Sequence, residues 1–287
     1  MAGEAVTYFE DARAHFRILG APRPTWRAPQ LGAIGATVMH WSLTPAVPTV
    51  ISVPTGSGKT AIAMAAPHLL DSPPKRVLVV APSRALREQL AANFRDQDVL
   101  RRIGALPDDG TFGRAPTVVE LNGRVDDWST LDDVDVVVAH PNSISPGQYL
   151  PEAAPPPDLF DLVIIDEAHH APAPTWTNIL DHFTAQQALL LTATPVRRDG
   201  KRIPGELVYH YPLRRALEEG FYQPVRPILL DAEDPADRAA CDAAIAAAAV
   251  GLMSLPEHAA SALLVYEADR SLGCRRLRLC TSSRGSS

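Results

Sequence analysis

One stretch, Pro54-Thr55-Gly56-Ser57-Gly58-Lys59-Thr60, constrains this chain more than any other. It follows an apolar, β-branched run, Val50-Ile51-Ser52-Val53, and opens a helix-forming run, Ala61-Ile62-Ala63-Met64-Ala65. Strand, glycine-rich turn, helix is the context a phosphate-cradling loop requires. The glycines let backbone N–H groups turn toward phosphate oxygens. Lys59 is placed to reach the β- and γ-phosphates of a nucleoside triphosphate, and the Thr60 hydroxyl to ligate Mg²⁺. The usual pattern, G-x-x-x-x-G-K-[ST], has a glycine where this chain has Val53. Alone, the segment also reads as a Gly/Ser turn between two core elements.

The chain around it repeats strand, loop and helix. Short apolar strands are expected at 76–80, 117–120, 134–138, 162–165 and 188–191, and Arg84 to Phe94 has helical spacing. Near-continuous apolar strands alternating with helices predict an α/β fold, with a mostly parallel sheet covered on both faces. Ligands of such sheets bind beyond the carboxyl ends of the strands. Each chemical motif below follows one of these strands.

Asp166-Glu167-Ala168-His169-His170 ends the strand at 162–165. Acids after a strand are often only a solvated strand end. Beside Lys59-Thr60 they acquire roles: Asp166 to hold Mg²⁺, Glu167 to orient the attacking water. The two histidines lack His-x-x-x-His spacing and no cysteine supports them, so a transition-metal site is disfavoured. His169 is read instead as a hydrogen-bonding group across the site. Thr192-Ala193-Thr194-Pro195 follows the next strong strand, and the hydroxyls of Thr192 and Thr194 can reach back to the acids and couple them to a neighbouring surface.

Composition bounds the partners. The net charge is −6 over 287 residues, so any nucleic acid must meet a local groove rather than a basic surface. Aromatics are only 6%, too few for an extensive base-stacking platform. Cys241, Cys274 and Cys280 have neither zinc-ligand nor disulfide spacing, which fits a reducing cytoplasm. No signal peptide and no membrane-length apolar run is read. The expectation is a cytoplasmic protein with no membrane partner.

The ordered set Gly56-Ser57-Gly58-Lys59-Thr60, Ala81-Pro82-Ser83-Arg84-Ala85-Leu86, Asp166-Glu167-Ala168-His169 and Thr192-Ala193-Thr194-Pro195 resembles superfamily-2 helicases of the DEAD/DEAH type. Within them it is most similar to the helicase (res) subunit of type I and type III restriction enzymes and related DNA translocases. Val196-Arg197-Arg198-Asp199-Gly200 is also similar to that group, and the resemblance covers about residues 25–225. It implies a RecA-like P-loop NTPase domain using ATP and Mg²⁺, with nucleic acid, DNA above RNA, as partner. It places Thr55 with the phosphate loop in holding nucleotide. It implies that Arg27 and Gln30 belong to an adenine-reading motif, since a side-chain amide pairs with both a donor and an acceptor. It also implies that Pro82, Ser83 and Arg84, and more loosely Pro141 and Asn142, contact the nucleic-acid backbone.

The expected organisation is a helical lead-in over 1–45, broken by Pro22, Pro24 and Pro29, and the ATP-binding domain over 46–225. A linker and the start of a truncated second domain follow over 226–270, with a boundary near Gln223-Pro224-Val225, an Ala-rich helical stretch over 231–255 and a first strand at 262–266. Residues 271–287 read as a basic flexible or aberrant tail. The family's second domain supplies an arginine finger through a motif like Gln-x-x-Gly-Arg-x-x-Arg, which this sequence lacks. A finger is worth ~10³–10⁵ in rate in related systems, so slow hydrolysis and no unaided unwinding are expected. A separately encoded second helicase domain would complete the motor. The competing reading is a truncated module that binds ATP and nucleic acid without turnover. A P-loop kinase is disfavoured by Thr192-Ala193-Thr194 and Pro82-Ser83-Arg84.

Overall fold

A computed structural model describes residues 6–20, 24–44, 46–169, 173–195, 203–220, 226–230, 262–267 and 277–282, together with Ala243 and Ala247. His170, Val196–Gly200, the expected boundary at 223–225 and most of the Ala-rich run at 231–255 lie outside them. The chain divides into two units, Met1–Arg215 and Ala216–Ser287.

The first unit is built on a seven-stranded sheet. Its strands are β1 (Thr49–Ser52), β2 (Val77–Val80), β3 (Val118–Leu121), β4 (Val136–Ala139), β5 (Leu162–Ile165), β6 (Gln187–Thr192) and β7 (Glu206–His210). They lie in the order β3-β4-β2-β5-β6-β1-β7, and every pairing is parallel. The helices are α1 (Tyr8–Arg13), α2 (Ala28–Leu43), α3 (Lys59–Ala65), α4 (Arg84–Asp96), α5 (Asp98–Ile103), α6 (Pro141–Ile144), α7 (Ala173–His182) and α8 (Leu213–Glu218).

Strands β1, β2, β4 and β5 are buried at every residue, which is why they read as unbroken apolar runs. Successive side chains go to opposite faces. Leu78, Val80, Val137, Val163 and Ile165 share one core with Trp176 and Ile179 of α7 and with Phe183 just after it. Val77, Val79, Val136, Val138 and Ile164, between them in sequence, are equally buried. Helices α2, α3 and α4 pack against β1, β6 and β4. At the amino ends of the strands, buried Arg76 donates to the carbonyls of Val134, Leu159 and Asp132 at 3.1, 3.0 and 3.0 Å. One guanidinium thereby satisfies three carbonyls, tying β2 to the approaches of β4 and β5.

Two expectations need correction. Pro29 does not break the lead-in: it sits in the first turn of α2, where its missing N–H has no helical partner to lose. The basic tail is not wholly unstructured. The second unit contains a three-stranded antiparallel sheet ordered β8 (Arg226–Leu230), β10 (Leu277–Ser282), β9 (Ala262–Glu267). Strand β10 lies inside 271–287 and pairs along both edges, and a basic composition does not prevent backbone pairing. Among the described residues no helix is long and apolar enough to cross a membrane.

Candidate active site

The phosphate loop grows from β1. Val53 is fully buried and its N–H donates to the Thr192 carbonyl at 3.0 Å, continuing the pairing of β1 with β6. Its place in the pattern is therefore a strand position, which accounts for a β-branched residue there. A turn follows, with the Ser57 N–H on the Pro54 carbonyl at 3.2 Å. Gly56 and Gly58 have φ of 85° and 90°, a region that L side chains enter only at a cost. Gly58 caps α3, so Lys59 and Thr60 form its first turn. Thr55 is exposed and Thr60 half-buried.

Lys59 is only 9% exposed, and its Nζ lies 2.8 Å from Glu167 Oε1. The acids come from the end of β5, two strands from β1 in the sheet. The Asp166 N–H extends β5 onto the Val80 carbonyl, and Asp166 Oδ1 accepts the Glu167 N–H at 2.9 Å. Asp166 is nearly fully buried, and its carboxyl is pushed up to about 6. Burial is the main cause, the neighbouring Glu167 charge adds to it, and Lys59 opposes both. Glu167 itself is left-handed, with φ 54°, an uncommon state for a residue with a side chain.

His169 and the threonine turn close the site. His169 Nδ1 lies 3.0 Å from Thr192 Oγ1 and 3.3 Å from Glu167 Oε2. Thr192 Oγ1 donates to the Thr194 carbonyl at 2.8 Å and accepts the Thr194 N–H at 3.2 Å. Its one proton is thus committed, and the His169 Nδ1–H is the donor toward Thr192. Lys59, Glu167, His169, Thr192 and Thr194 form one connected chain across β1, β5 and β6.

Arg27 and Gln30 lie against the same loop. Gln30 is buried; its Oε1 accepts the Arg27 N–H at 2.8 Å and its Nε2 reaches the Gly58 carbonyl at 3.5 Å. Arg27 Nη1 donates to the Gly56 carbonyl at 3.1 Å. The remaining candidates flank the acids on the other side. Pro82, Ser83 and Arg84 follow β2, where the Ser83 hydroxyl caps α4 by accepting the Leu86 N–H at 3.2 Å. Arg84 is exposed and pairs with Glu88 at 2.7 Å. Pro141 is buried and Asn142 exposed, after the adjacent strand β4. The carboxyl edge of the sheet thus carries Asn142, Ser83, Asp166, Thr192 and Lys59 in strand order.

Residues 23–197, well over half of the chain, match the family model described as type III restriction enzyme, res subunit. The chain belongs to this family. It is 37% identical over 81 residues to the type I restriction enzyme EcoAI endonuclease subunit of Escherichia coli, an alignment covering 26% of this chain and 10% of that protein. It is 26% identical over 155 residues to the probable helicase D10 of Escherichia phage T5, covering 54% and 28% of the two. Among solved structures it is similar to a nuclease-deletion mutant of the type ISP restriction-modification enzyme LlaGI in complex with a DNA substrate mimic. That likeness has a TM-score of 0.47 and 17% identity, covering 69% of this chain and 21% of the other. The chain spans about a tenth to just over a quarter of the curated relatives it matches.

Within this res-family domain, one supporting residue escaped the motif reading. Trp176 of α7 is fully buried, and its indole N–H donates to the Ala168 carbonyl at 2.8 Å. The Ala168 N–H is held by the Leu191 carbonyl at 3.0 Å. The left-handed Glu167 is thus fixed from both sides, by Asp166 before it and Ala168 after it. A residue in such a region persists only where its surroundings over-determine it. Nothing in the sequence marked Trp176 beyond its being a large aromatic shortly after the acids.

Proposed function

We propose that this chain is the ATP-binding motor domain of a DEAD/DEAH-type DNA helicase or translocase, hydrolysing ATP with Mg²⁺ and coupling this to nucleic-acid binding. The observation that carries the reading is the 2.8 Å Lys59–Glu167 pair with buried Asp166 beside it, at the mouth of the phosphate loop. Beyond their ion pairs, Lys59 Nζ and Glu167 Oε2 are shut from solvent and make no hydrogen bond. A Cβ placed at Gly56 would meet no atom within 4 Å, so this side of the loop is open. These features fit a nucleoside triphosphate and its Mg²⁺.

In this reading Lys59 leaves Glu167 for the phosphates, while Gly56, Ser57 and Gly58 offer backbone N–H groups and Thr55 lines the loop. Thr60 and Asp166 hold Mg²⁺, which when bound neutralises charge on the phosphates. Glu167, released from Lys59, accepts a proton from the attacking water. Arg27 and Gln30 read adenine from beside the loop. His169, Thr192 and Thr194 relay the state of Glu167 along the sheet edge toward Pro82, Ser83, Arg84, Pro141 and Asn142, which contact the nucleic-acid backbone. A second helicase domain is the partner that completes the motor, and the cytoplasm its expected place.

ATPase measured with a second motor domain supplied tests this. DNA should stimulate phosphate release, Glu167→Gln should abolish it while leaving ATP bound, and Lys59→Ala should abolish binding. Unchanged ATPase with both single- and double-stranded DNA would refute the motor. Nucleotide binding with no turnover under any condition would leave the binding-module reading.

A further inference from the structure

We propose that Arg87 is a further phosphate contact of the nucleic-acid face, held between α4 and β3 by Glu120 until a strand binds. The inference rests on the reading of that face given above.

Arg87 is three residues beyond Arg84 and four beyond Ser83, so all three lie on one side of α4. It is 8% exposed, yet it has not found a complete partner. Its Nε lies 3.5 Å from Glu120 Oε1, and both atoms are closed to solvent without a hydrogen bond. Neither terminal guanidinium nitrogen makes a hydrogen bond among the described residues, and neither is closed to solvent, so both are open to a ligand. A guanidinium has five N–H donors, and a buried one is ordinarily well satisfied. Arg76, equally buried on the opposite edge of the sheet, spends its donors on three carbonyls. Arg76 is a strut, whereas Arg87 has donors in reserve.

The surroundings indicate the ligand. Glu120 is near the carboxyl end of β3, in register with Val138 of β4. Two residues past Val138, His140 Nδ1 accepts the Asn142 N–H at 3.1 Å. The Arg87 charge is felt at His140, where, after burial, it is the second cause holding the imidazole below its usual value. Arg87 thus belongs to the end of the sheet that also carries exposed Ser83, Arg84 and Asn142. A planar fork of unspent donors there matches a phosphate diester, and stepping off Glu120 costs little because that contact is long and unaligned.

Two charge-removing substitutions, of which Glu120→Gln is isosteric, separate this from a purely structural tie. The assay is binding of a fluorescein-labelled oligo-dT strand to the full chain across a salt series. Arg87→Gln should weaken binding about tenfold and flatten the slope of log K against log salt by about 0.7, one phosphate contact on a single strand. Glu120→Gln should tighten it several-fold, by releasing Arg87. The double variant, with no buried charge to unbalance the fold, should stay as weak as Arg87→Gln. Binding of a fluorescent ATP analogue should be unchanged throughout. If both single variants weaken DNA binding, or neither moves it, Arg87–Glu120 is a strut and the inference is wrong. If the unsubstituted chain binds no oligo-dT even at low salt, the nucleic-acid reading itself fails, and this inference with it.

Discussion

The Trp176 indole N–H donates to the Ala168 carbonyl at 2.8 Å, inside the core and one residue from the left-handed Glu167. Trp176→Phe keeps most of the apolar volume, removes this donor and leaves a small void where the larger ring was. A buried carbonyl left without a partner costs about 1–3 kcal/mol, to be read from urea unfolding. The sharper expectation concerns Glu167. Under the proposed ATPase reading, the Glu167 turn freed on one side relaxes, so kcat measured with a second motor domain supplied should fall about tenfold, near 1.4 kcal/mol of barrier, with nucleotide affinity within about twofold. An equal loss in both would mean that Trp176 only stabilises the fold.

The two glycines of the phosphate loop should respond differently to alanine. A Cβ at Gly56 meets nothing within 4 Å, so Gly56→Ala carries only the left-handed backbone cost of about 1–2 kcal/mol. At Gly58 the same backbone cost applies, and the Cβ collides with Gln30 Nε2. Gly58→Ala should melt lower than Gly56→Ala and displace Gln30. Adding Gln30→Ala should recover the collision but not the backbone cost. Equal melting temperatures for the two glycine variants would contradict this geometry.

Lys59 and Glu167 form an ion pair that is mostly buried on both sides, 9% and 19% exposed. Removing one partner strands the other, so Lys59→Ala leaves Glu167 beside Asp166 with no compensating cation. Breaking fully buried pairs costs about 3–5 kcal/mol, and partial exposure of Glu167 reduces that here to about 2. Lys59→Ala with Glu167→Ala should be more stable than Lys59→Ala alone. A strictly additive double-mutant cycle would show that the pair contributes nothing in solution.

What the sequence revealed follows burial. Strands β1, β2, β4 and β5, covered on both faces, appear as apolar runs. Strand β7 was missed because it is an edge strand, half-exposed along its length, and Glu206-Leu207-Val208-Tyr209-His210 carries no such run. The candidate site residues stood out in the sequence because the chemistry proposed for them restricts residue type. Their supports were not. Trp176 bonds a backbone carbonyl, a partner with no sequence identity, and the Arg87–Glu120 pair joins a helix to a strand that only the sheet order brings together. Val53 departs from the usual phosphate-loop pattern because its backbone continues the strand pairing of β1 with Thr192, a relationship that sequence spacing does not carry.

His68 should make the fold sensitive to acid. It follows α3 and stacks on Phe16, ring centroids 4.4 Å apart, with Phe9 edge-on at 5.5 Å. Both ring nitrogens are closed to solvent and make no hydrogen bond, and burial pushes the imidazole down from 6.5 to about 3. Above 6.5 the ring is neutral in folded and unfolded chains alike, and its contribution is fully present. As pH falls below that value the unfolded chain takes up a proton that the folded chain refuses, so stability declines until about pH 3, where the folded ring also protonates. The full loss across this window is on the order of 5 kcal/mol. His68→Phe keeps the stack and cannot titrate. Urea midpoints measured from about pH 7 down to about pH 4 should fall less steeply for this variant than for the unsubstituted chain. Parallel acid limbs would place the titration elsewhere, in the carboxylates rather than in this ring.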